Sequence, residues 1–71
     1  MNYSIKFKYP STRSEAFKES ITYAASVELF LHNIHSVQPS ASVLVLESDR
    51  DRVFALLLLS EFTSYPVHAL D

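Results

Sequence analysis

The sequence predicts a small two-layer α/β domain of order β-α-β-α, with a possible final β, in which a thin sheet carries both helices on one face. Three observations lead there. Residues 2–9 alternate polar and apolar, residues 12–36 carry apolar positions at helical spacing, and a second strand-then-helix pattern follows, SVLVLE at 42–47 and then the apolar stretch from Val53. At 71 residues the chain makes one domain, 1–71.

The first strand is set by Tyr3, Ile5, Phe7 and Tyr9 pointing one way and Ser4, Lys6 and Lys8 the other, and Pro10 ends it. Thr12 and Glu15 then stand at capping-box spacing, with Ser11 and Ser14 as competing caps. At about 100° per residue, Ala16, Phe17, Tyr23, Ala24, Val27, Phe30, Leu31 and Ile34 fall on one face, the expected core side of the first helix. A helix over 12–36 would be about 37 Å long, which is long for this chain. With no Gly or Pro before Gln38-Pro39 to break it, the single helix is the favoured reading.

The next strand, SVLVLE, holds four successive aliphatics, the signature of a central strand covered on both faces. Ser48 with Asp51 is a second capping-box-like start, and helix two is expected from Asp49 to about Thr63. Tyr65-Pro66 ends it, and Val67 to Leu70 reads as a short third strand or a packed tail. In the rival division the first helix stops near Ala25 and Ser26 to Asn33 becomes a strand. The order is then β-α-β-β-α-β, which resembles the ferredoxin-like arrangement in its order of elements and implies no activity.

Composition narrows the chemistry. Without cysteine there are no disulfides, thiolate metal sites or thiol nucleophiles. Without glycine there is no phosphate-cradling loop of the Walker or dinucleotide type and no Gly-x-Ser-x-Gly elbow. Glu28, His32 and His35 are the one set at metal-ligand spacing. Neighbours could each clamp an ion, but the outer two lie about 10 Å apart along a helix. No metal, cofactor or catalytic residue is expected, and the chain is read as a non-enzyme.

The pI of about 5.8 argues against a dedicated nucleic-acid binder. Charge is uneven, however: residues 1–20 hold four cations against two acids, and the remainder holds two cations against six acids. The alternative function is therefore single-stranded nucleic-acid binding by Tyr3, Lys6, Lys8 and Tyr9, with Arg13 and Lys18 nearby, although tyrosines and lysines face opposite sides of the strand. No secretory signal is visible, and Val53 to Leu59 is far short of a membrane span, so a cytoplasmic location with no membrane contact is expected.

Helix two carries the functional expectation. Val53, Phe54, Ala55, Leu56, Leu57, Leu58, Leu59 and Phe62 occupy nearly every direction around it. A helix apolar all round is buried all round, and a two-layer domain can cover only part of it. The expectation is a protein–protein interface at Phe54, Leu58 and Phe62, extended by Ala25 and Leu29, serving a homodimer or a small adaptor or inhibitor of a larger protein.

Overall fold

A computed structural model of the chain describes residues 3–47 and 51–70. Six elements follow in order: β1 (Tyr3–Phe7), α1 (Glu15–Leu31), β2 (Ser36–Ser40), β3 (Val43–Leu46), α2 (Arg52–Phe62) and β4 (Val67–Leu70). The strands form one four-stranded sheet of order β2-β3-β1-β4, every neighbouring pair antiparallel. The result is a small two-layer α/β domain, and its order of elements is that of the ferredoxin-like alternative. The extra strand, however, lies at 36–40, beyond the helix, and not at 26–33 within it.

Local chemistry explains the boundaries. Ser14 caps α1, its Oγ accepting from the Phe17 backbone N–H at 3.1 Å, so the helix begins two residues later than a Thr12 cap would have placed it. At the other end Asn33 adopts φ 62°, the left-handed conformation that stops a helix. The Asn33 N–H then donates to the Phe30 carbonyl at 2.9 Å, and the Ile34 N–H to the Leu29 carbonyl at 3.0 Å. This is the paired closure of a Schellman motif, and Ile34 and Leu29, which the motif brings together, are both buried.

Between β2 and β3 the chain reverses through Ala41 and Ser42, which keep negative φ. Tight two-residue hairpins ordinarily require positive φ. Here the pairing instead shifts register between Val37 and Ser40, and Pro39 sits on the outermost strand, where its missing N–H breaks no ladder. The expected Ser48–Asp49 start of helix two lies outside the described residues; the helix itself runs from Arg52.

One core joins the layers. Tyr3, Ile5, Phe7, Leu44 and Leu46 from the sheet pack against Ala25 and Leu29 of α1 and Ala55 and Leu59 of α2. Alternation therefore holds on β1: the tyrosine, isoleucine and phenylalanine turn inward, and Lys6 outward. On α1 the outcome is reversed. The buried residues are Thr22, Ala25 and Leu29, whereas of the expected core side Ala16, Tyr23, Ala24, Val27, Phe30 and Leu31 are exposed, Phe17 is half-buried, and only Ile34, beyond the helix end, is buried. The cause is size as much as polarity. Thr22 and Ala25 let that part of the helix approach the sheet closely, Leu29 fills the core beyond them, and most of the aromatic residues remain on the opposite side.

Candidate interaction surface

The outer surface of the helical layer is unusually apolar. On α1, Tyr23, Phe30 and Leu31 are 63%, 61% and 71% exposed; on α2, Val53 and Leu57 are 69% and 63% exposed. Spacings of three and four place Tyr23, Val27, Phe30 and Leu31 along one stripe of α1, and Val53 and Leu57 along one stripe of α2. The two helices pack together, and the His32 ring at the end of α1 lies 5.7 Å from the Phe54 ring near the start of α2. Phe54 is itself exposed, so this contact adds an aromatic residue of α2 beside the end of the α1 stripe.

The residues expected to make the interface are divided by the fold. Phe54 and Phe62 are exposed, and Leu58 is half-buried against the core. Ala25 and Leu29 are 0% exposed, so the expected extension of the interface onto them is corrected: both belong to the core under α1. Sequence reading missed Leu31, Val53 and Leu57. On α1 both sides carry apolar residues, Ala25 and Leu29 on one and Tyr23, Val27, Phe30 and Leu31 on the other, so no sequence signal separates them.

Beside this layer α1 and β2 leave two open recesses. One, of about 420 Å³, is lined in part by Glu19, Ser20, Tyr23, Gln38 and Pro39, and the Gln38 amide donates to the Glu19 carbonyl at 3.2 Å across it. The other, of about 280 Å³, lies among Tyr23, Val27, Phe30, His35 and Ser36. Tyr23 borders both, so the apolar surface of α1 continues round to the β2 edge.

His32 and His35 have local partners. His32 Nδ1 lies 3.0 Å from the Glu28 carbonyl oxygen, and the His35 ring meets Phe30 edge-on at 5.9 Å. Among the described residues no group of three His, Cys, Asp or Glu side chains is placed to hold a metal ion. The elements of a nucleic-acid surface are separated as well. Tyr3 is buried beneath the Arg52 guanidinium, which sits 4.5 Å from its ring centroid. Tyr9 is held by a 2.7 Å hydrogen bond between its hydroxyl and that of Thr22, and it stacks with Phe7 and meets Tyr65 edge-on. Lys6 and Lys8 point away from both tyrosines.

No helix among the described residues is long and apolar enough to cross a membrane. Comparison of the chain with protein families, curated proteins and solved structures gives no match.

Proposed function

We propose that the protein acts by contact and not by catalysis, through the outer face of its two helices. The observation that carries this reading is the exposed apolar side of α1, with Thr22, Ala25 and Leu29 inward and Tyr23, Phe30 and Leu31 outward, continued by Val53 and Leu57 on α2. Fully burying an aliphatic or phenylalanine side chain is worth about 1.5–3 kcal/mol. Covering the exposed parts of this layer would supply on the order of 5–10 kcal/mol, enough to offset the lower estimates of about 4 kcal/mol for the cost of association. Such a layer suits docking on an apolar groove or helix of another protein, in the manner of a small adaptor or inhibitor, or on a second copy of the chain.

The test compares the wild type with the Leu31→Asp/Leu57→Asp double variant as immobilised baits in native extract, after circular dichroism establishes that both are folded. Proteins retained by the wild type and lost by the variant are the expected result. Identical retention by both baits refutes the reading.

A further inference from the structure

Strand β3 is aliphatic on both sides, yet only one side is covered by the chain's own helices. Leu44 and Leu46 face those helices and are fully buried. Val43 and Val45 alternate to the other face and are only half-buried. Strand register extends this open face into rows. Val37, Val45, Ser4 and Leu70 stand side by side across the four strands, and Ser40, Val43, Lys6 and His68 form the next row. Val37 and Leu70 are exposed at the two ends of the first row. Continued alternation puts Glu47 beyond Val45 at one end of the face and Lys8 beyond Lys6 at the other, both exposed. A sheet face left to water ordinarily turns polar. This one has an aliphatic middle, an acid at one end and cations at the other.

We infer that this face joins two copies of the chain, stacked sheet on sheet about a two-fold axis that lies between the sheets and perpendicular to the strands. The charges select that axis. Rotation about it reverses strand direction, lays the Val37–Val45–Ser4–Leu70 row on its own copy and brings Glu47 of one protomer over Val43 of its partner, one strand (about 4.8 Å) to the side of Lys6 in the same row. Alternate residues along a strand are about 7 Å apart, so the Glu47 and Lys6 rows are equally distant from the central row and meet without a slip. Packed sheets lie about 10 Å apart, a gap that valine and leucine side chains fill and a glutamate–lysine pair spans. An axis along the strands would instead set the Lys6–Lys8 end on itself, and like charges oppose that. The contact is self-complementary, as a two-fold interface must be. A nucleic acid would use Lys6 and Lys8 but gain little from the valines and meet repulsion at Glu47. This inference stands apart from the proposed function and leaves both helical layers facing outward.

Sedimentation equilibrium of the purified chain at micromolar concentration is expected to give the mass of two protomers. Val45→Lys should raise the dimer dissociation constant at least about tenfold without altering the circular dichroism spectrum. Should that variant unfold, the charge pair still decides: Lys6→Glu weakens the dimer, and Lys6→Glu/Glu47→Lys restores it to within about threefold of the wild type. A monomer at every concentration overturns the inference, as does a monomer that binds labelled oligothymidylate through Lys6. A dimer that survives both Val45→Lys and Lys6→Glu but is lost in Leu57→Asp also overturns it, and moves self-association to the helical layer. Equal retention by the two baits described above would end the proposed function and leave this result untouched.

Discussion

The hydroxyl pair of Tyr9 and Thr22 fastens the segment after β1 to the inner side of α1, where Thr22 is the one fully buried polar residue among those described. Thr22→Val keeps the shape and removes the partner, leaving the phenol unsatisfied at a cost of about 1–2 kcal/mol in urea unfolding. The Tyr9→Phe/Thr22→Val pair should cost less than the sum of its singles, because each single leaves one polar atom stranded. The same site gives an alkaline signature. Burial raises the Tyr9 phenol above its usual 10.0; the Thr22 hydrogen bond opposes this, and Tyr65 adds to it. The fold thus favours the neutral phenol. That contribution is complete below the unfolded value and is lost as pH rises through the folded one. Wild-type stability should fall as pH rises above 10.0, the usual phenol value, more steeply than that of Tyr9→Phe, as measured by chemical unfolding at each pH.

At the scale of elements, single residues set the boundaries and tertiary pairing sets one identity. Both helices and the strands at 3–7 and 43–46 were legible in period and composition, and 67–70 only as a strand or a packed tail. The end of α1 was not, because apolar spacing runs past it to Ile34, and the stop is the left-handed backbone of Asn33, not a glycine or proline. Asn33→Val should therefore cost about 1–2 kcal/mol, since a β-branched residue resists positive φ, whereas Asn33→Gly should match or slightly exceed the wild type; urea midpoints check both. Strand β2 could not be read at all. Ser36–Ser40 has one aliphatic residue and a proline, and it is a strand because the free edge of β3 offers a ladder to complete.

At the scale of the molecule, the accessible surface is 4667 Å², close to the roughly 4,500 Å² that mass alone implies, so the chain is compact despite its exposed hydrophobics. Those hydrophobics are surplus to the core. Leu59, fully buried, and Leu57, two residues earlier on the same helix, make the comparison. Leu59→Ala should cost about 2–5 kcal/mol of stability. Leu57→Asp should cost no more than about 1 kcal/mol and remain folded, a contrast that thermal melting resolves. An apolar surface on helix two was legible from its all-round pattern, because no two-layer domain covers such a helix. Its placement was not: Phe54, Leu58 and Phe62 share a side with Ala55 and Leu59 near enough that the fold half-buries Leu58, and α1 is apolar on both its sides, so period alone could not choose which one faces the sheet.

The central strand β1 finds one of its two neighbours in β4, with Ile5 opposite Ala69. A nascent chain still lacking residues 67–70 has β1 as a raw edge, its amides and carbonyls open to any extended peptide nearby. Closure must wait until synthesis has passed Leu70, and proteolytic loss of that segment would turn the middle of the sheet into a seed for aggregation.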